Sequence, residues 1–213
     1  MERVKAASAK VPAPAHRGYS GVILLLPPKP PQAIRPPAPE LAQEFKNARV
    51  EPKVIPFDGA YWYFKEPDIR PEPDARVVHG DPLKARINST NDVPLSMEAH
   101  QVLLSPISMS CCSALRVDTV NADDRSGTIA IEVVLRNSGP KAGSGLSLGT
   151  MVLPSSTGAI PLDREPVHES LTFRFPRNAR RKQFDEITIR IKPAGERALA
   201  ASQVSVESFA LVP

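Results

Sequence analysis

The sequence predicts an all-β chain: an antiparallel jelly-roll-like β-sandwich behind a long proline-rich N-terminal arm. Three observations carry that prediction. From Arg76 onward, short runs alternate apolar and polar residues at regular spacing, the pattern of strands with one face in a core. Over the same span no run shows the period of an amphipathic helix. Ahead of it the texture changes: of 24 prolines, 15 lie at or before Pro82. The chain divides accordingly into an arm (residues 1–54), an aromatic patch with its connector (55–75) and the sandwich (76–213).

The arm opens with residues 1–20, which hold little to bury. Val22, Ile23 and Leu24 begin a short apolar run that ends in Pro27-Pro28. It reads as an edge strand or as an arm that docks on another surface, and these residues are the expected contact with a protein partner. Pro27 to Pro39 reads as an extended polyproline-like spacer, and Glu40 to Ala48 has room for two helical turns. The densest aromatic patch follows, with the single Trp of the chain: Tyr61, Trp62, Tyr63 and Phe64. Period-two geometry puts Tyr61 and Tyr63 on one face and Trp62 and Phe64 on the other. The four rings read either as a stacking platform for a sugar or a base, or as a strand that staples the arm to the sandwich.

In the sandwich, strands are predicted over Leu83–Ile87, Leu95–Ala99, Leu115–Val117, Ile129–Leu135, Leu146–Leu153, Leu171–Phe175, Ile187–Ile191 and Val204–Leu211. Leu115 to Arg136 is the strongest stretch. Two alternating runs flank Asn121 to Gly127, a turn-rich segment, and together they predict a β-hairpin. A turn centred on Asp124 sets Arg116 opposite Glu132 on its polar face. In the last strand Val204 and Val206 share a parity that Phe209 and Leu211 do not. Leaving Phe209 and Leu211 in water would forfeit about 1.5–3 kcal/mol each. A bulge near Glu207-Ser208 is therefore predicted, with Val206 and Phe209 both buried.

The formal net charge is +4, and it belongs to the arm. Residues 1–56 hold nine Lys and Arg against four Asp and Glu, the remainder eighteen against nineteen. A nucleic-acid surface would want a basic patch with interleaved aromatics, whereas the arm's cations are diluted by proline, so nucleic acid is not an expected partner. GVILLL at 21–26 is too short to span a bilayer, and the first residues carry no apolar signal-peptide core.

Chemistry-bearing motifs are sparse. The nucleophile elbow, the zinc-protease helix, the phosphate loop and the dinucleotide fingerprint are all lacking from the sequence, and neither catalysis, a cofactor nor a resident metal is expected. Asp123 and Asp124 sit in a turn that explains them, with calcium as the rarer reading. Cys111 and Cys112 are adjacent and leave three readings open: two buried thiols, a redox-active vicinal disulfide, or ligands that join His100 or His79 in a metal site. His100 falls on the polar face of its strand.

The runs GTIAIEVVL (127–135), FDEITIRI (184–191) and VSVESFAL (204–211) resemble the central, penultimate and closing strands of jelly-roll carbohydrate-binding modules and their galactose-binding-like relatives. The order of arm, YWYF patch, Cys-Cys pair and sandwich is also similar to uncharacterised bacterial envelope proteins. These resemblances imply a periplasmic or other extracytoplasmic location, with membrane attachment supplied by a partner or by a segment outside this chain. The expected function is a non-catalytic structural or protein-interaction subunit of an envelope or multiprotein complex. Carbohydrate binding at the ring patch is the second reading, and thiol-redox or metal chemistry at the Cys pair the third.

Overall fold

The computed structural model describes residues 21–26, 34–37, 51–65, 71, 74–89, 92–139, 145–157, 164–179, 182–194 and 199–213. Among them are eleven strands: β1 (Val22–Leu25), β2 (Lys53–Pro56), β3 (Ala60–Lys65), β4 (Arg76–His79), β5 (Leu95–Ser108), β6 (Ala114–Asn121), β7 (Ile129–Arg136), β8 (Leu146–Val152), β9 (Val167–Arg174), β10 (Gln183–Pro193) and β11 (Val204–Val212). One sheet has seven strands in the order β4-β1-β3-β5-β10-β7-β8, the other four in the order β2-β11-β6-β9. All pairings between named strands are antiparallel except β1 with β4.

Strand pairing makes the sandwich jelly-roll-like. β5 pairs with β10, β6 with β9 and β7 with β8. The stretch from β5 to β10 is thus one long hairpin wound over itself, its nested pairs falling in the seven-stranded, the four-stranded and again the seven-stranded sheet. The inward positions of each strand fill the space between the sheets. Ile187, Ile189 and Ile191 of β10 meet Leu115 and Val117 of β6 and Phe209 and Leu211 of β11 in one buried cluster. Phe57, Tyr61 and Phe209 form its aromatic centre, with ring centroids 5.3 Å and 6.1 Å apart.

The predicted bulge is present. The β6–β11 register shifts between Val206 and Ser208, and Val206 and Phe209 are both buried. The shift lets both apolar parities face the core. The tyrosine hydroxyl of Tyr61 accepts a hydrogen bond from Val206 N at 2.6 Å, joining the two sheets beside the bulge.

The predicted β6–β7 hairpin is absent. β6 lies in the four-stranded sheet and β7 in the seven-stranded one. Arg116 pairs with Thr172 and Ala210, whereas Glu132 pairs with Arg190 and Thr150, so the two are on opposite sheets. The turn-rich segment is a crossover between sheets. Asn121 Nδ2 donates to Ser155 Oγ, the Asp123 carboxylate accepts from Arg125 N and Gln203 N, and Ala122 N donates to Gln203 O. Each run has one apolar face, and such faces meet equally well across a core as side by side.

Two further expectations need correction. Leu83, Ala85 and Ile87 form no ladder: 82–84 is a turn, and Asn88 makes only an isolated bridge to Ala200. Nor does the sandwich begin at Arg76. β1, β2 and β3 come from 1–54 and 55–75 and are integral to the two sheets. Val22–Leu25 and Ala60–Lys65 are strands as the sequence allowed, but strands of four to six residues set among prolines carry no local sign of which sheet they join. Within the predicted spacer, Ile34 packs partly buried against the core. The predicted helix over Glu40 to Ala48, residues 1–20 and the polyproline stretch on either side of 34–37 lie outside the described residues.

Candidate functional site

β3 positions the rings. Its inward residues Tyr61 and Tyr63 are fully buried opposite Ala99 and Met97 of β5. Burial raises the pKa of both hydroxyls and keeps them neutral. Tyr61 and Tyr63 are therefore core residues and cannot touch a ligand on the surface. Phe64 is buried as well. Only Trp62, half-buried on the outer face of the seven-stranded sheet, keeps part of its ring in solvent. Val22 and Leu24 point inward with Tyr63 and Tyr61, while Ile23 shares the outer face with Trp62. β1 is flanked by β3 and β4, so it offers no free backbone edge to a partner.

Trp62 stacks on His100 of β5, with ring centroids 3.5 Å apart and planes inclined at 21°. Just before β3 the backbone passes tightly against β5 at Gly59, where a Cβ would lie 1.8 Å from the His100 carbonyl oxygen. The Gln101 side-chain amide pins the same turn: its oxygen accepts from Asp58 N at 2.9 Å and its nitrogen donates to the Asp58 carboxylate.

Beneath Trp62 a chain of ionised groups crosses three strands. His100 Nε2 lies 2.9 Å from Glu98 Oε2, and Nδ1 lies 3.2 Å from Glu186 Oε1. The other oxygen of Glu98 accepts from Arg190 Nε at 2.7 Å. Arg190 Nη1 lies 3.6 Å from Glu132, which also accepts from Lys192 Nζ at 2.6 Å and from Ser147 Oγ at 3.0 Å. The cross-strand register sets this order: Trp62 pairs with Glu98, Glu98 with Arg190, and Arg190 with Glu132. Three carboxylates meet three cations. Both Glu98 and His100 are buried although they face outward.

Burial disfavours charge on His100, but the hydrogen bonds it donates to Glu186 and Glu98 outweigh burial and raise its pKa, favouring the imidazolium. Burial likewise opposes ionisation of Glu98, and bonds from His100 and Arg190 overcome it and lower its pKa. Glu186 is lowered chiefly by His100. At Glu132 burial is outweighed by Lys192 and Ser147, and its pKa is lowered too. Every hydrogen-bond partner in the chain thus favours the charged form.

Cys111 and Cys112 are joined by a disulfide. Of the three sequence readings, the vicinal bond is the one present, and the pair is nearly buried where β5 passes to β6. The connection is tied on both sides, by Met109 N to Lys182 O and by Ser113 N to Val212 O. His100 is engaged by its two glutamates and does not meet the cysteines. No group of three or more His, Cys, Asp or Glu among the described residues is arranged to hold a metal. Asp123 is buried and serves the turn through backbone hydrogen bonds.

Sequence reasoning singled out Trp62 and missed Glu98, Glu186, Arg190 and Glu132. The signal was present as polar positions on three alternating strands, but nothing local said that those strands are neighbours. No helix among the described residues is long and apolar enough to cross a membrane. No family model, curated protein or solved structure matches this chain.

Proposed function

We propose that this chain is a non-catalytic interaction subunit of a multiprotein assembly, with the outer face of the seven-stranded sheet as its contact surface. One observation carries the reading: Trp62 sits on a charge-balanced network on a face bordered by exposed apolar side chains. Val77 on β4 is 57% exposed, Val102 on β5 72% and Leu104 67%. An aromatic anchor ringed by apolar and paired charged groups has the composition of a binding hot spot. The disulfide supports a place in an oxidising compartment, as expected for an envelope protein.

Native co-purification tests the reading. The Val102→Lys, Leu104→Lys double variant and Trp62→Ala should each lose the complex, identified by mass spectrometry, that the unaltered chain retains, with little change in thermal unfolding for the double variant. An unaltered complex in all variants would sink the proposal. Carbohydrate recognition draws on the same ring. It would show instead as binding on a glycan array that Trp62→Ala abolishes and the Lys pair leaves intact.

A further inference from the structure

On the other side of β1 and β4, away from Trp62, lies a groove of about 390 Å³. That is within the roughly 300–1,000 Å³ of small-molecule sites. Its floor is built from inward positions, Val22 and Leu24 of β1 and Val78 of β4. Ala85 and Ile87 form the facing wall. The alternation that failed to make a strand at 83–87 still turns these apolar residues inward and leaves Lys84 and Arg86 exposed.

The rim is cationic. Arg76 shares a face with Val22 and so stands at the mouth on the floor side, while Lys84 and Arg86 stand on the wall. Asp81, the one carboxylate among the described residues that line the groove, is engaged: Oδ1 accepts from Leu83 N at 2.9 Å and Oδ2 lies 3.6 Å from Lys84 Nζ. Among the described residues no ion pair engages Arg76 or Arg86. An apolar trough with surplus cations at its lip complements one kind of molecule.

We propose that the groove binds a single alkyl chain bearing a terminal carboxylate. The chain lies on Val22, Leu24, Val78, Ala85 and Ile87, and the carboxylate is held among Arg76, Lys84 and Arg86. The site is separate from the outer face and does not depend on the interaction reading.

Calorimetric titration of the full chain with octanoate, decanoate and dodecanoate, each below its micelle concentration, provides the test. Saturable one-to-one binding is expected, tightening about fourfold for each added methylene until the groove is filled. Dodecanol should bind roughly tenfold or more weakly, because it offers no charge-assisted hydrogen bond. Dodecyltrimethylammonium should not compete. The exposed pair Arg76→Glu, Arg86→Glu should weaken dodecanoate at least tenfold, and Ala85→Trp should abolish binding by filling the trough. Non-saturable uptake, equal affinity for the alcohol and the carboxylate, or undiminished binding by the charge-reversed pair would each overturn the proposal. The charge-reversed pair alters only solvent-facing ends, so it decides the matter even if Ala85→Trp misfolds.

Discussion

On the outer face of the seven-stranded sheet, Glu98 and His100 pair at 2.9 Å with side chains 7% and 6% exposed, and each has a second ionic partner. On the outer face of the four-stranded sheet, His168 and Glu207 pair at 3.0 Å with side chains 68% and 44% exposed. Between these limits, Asp118 accepts from Ser170 and Ser208 and pairs with Arg116. Burial works against charge on Asp118, and these bonds outweigh it and lower its pKa. The same residue types thus make a closed network on one face and solvated pairs on the other. The difference comes from pairing: β3, β5, β10 and β7 align Trp62, Glu98, Arg190 and Glu132 in one row, and each shields the next from water. Charge alone contributes little at a surface, and shielding makes its removal costly.

Breaking the network should show the largest effect. Glu98→Ala leaves His100 and Arg190 without their shared carboxylate and should cost about 3–5 kcal/mol, read from urea unfolding. A loss below about 1 kcal/mol would mean that this pair behaves like an exposed one.

A pH series sharpens the contrast. His100 has a raised folded pKa, so its contribution is complete below the unfolded value of about 6.5 and is lost as pH climbs through the folded value. Glu98, Glu186 and Glu132 have lowered folded pKa values, so theirs is complete above about 4.3 and is lost as pH falls through the folded values. Stability should therefore peak between those two pH values. His100→Gln should flatten the alkaline limb, and a wild-type curve without that limb would contradict the imidazolium assignment.

The smallest effect belongs to the other face. His168→Ala should change stability by only about 0–1 kcal/mol, and added salt should remove even that. If it matched Glu98→Ala, burial would not be what separates the two faces.

Much of the fold was legible because alternation is a local property. The inward faces of β5, β7, β10 and β11 could be read directly, and the conflict of parity between Val206 and Phe209 announced its own bulge. Trp62 was legible too, as the lone indole in an aromatic patch, and parity separated it from Tyr61 and Tyr63. The network was not. Glu98, Glu132 and Glu186 are spread over some ninety positions and meet only through strand pairing.

The β6–β7 stretch shows where the limit falls. Side chains two residues apart share a face whatever lies beside the strand, so the chain's own order settled which residues turn inward. Whether Arg116 lies beside Glu132 or across the sandwich from it depends on closing a core between distant segments. That closure sent β6 to β9 and β11, sent β7 to β8 and β10, and drew β1 from the proline-rich arm into the seven-stranded sheet. Backbone hydrogen bonds can be satisfied in many strand orders. The order that also buries Leu115, Ile131, Ile189 and Phe209 together in one core is a property of the whole chain.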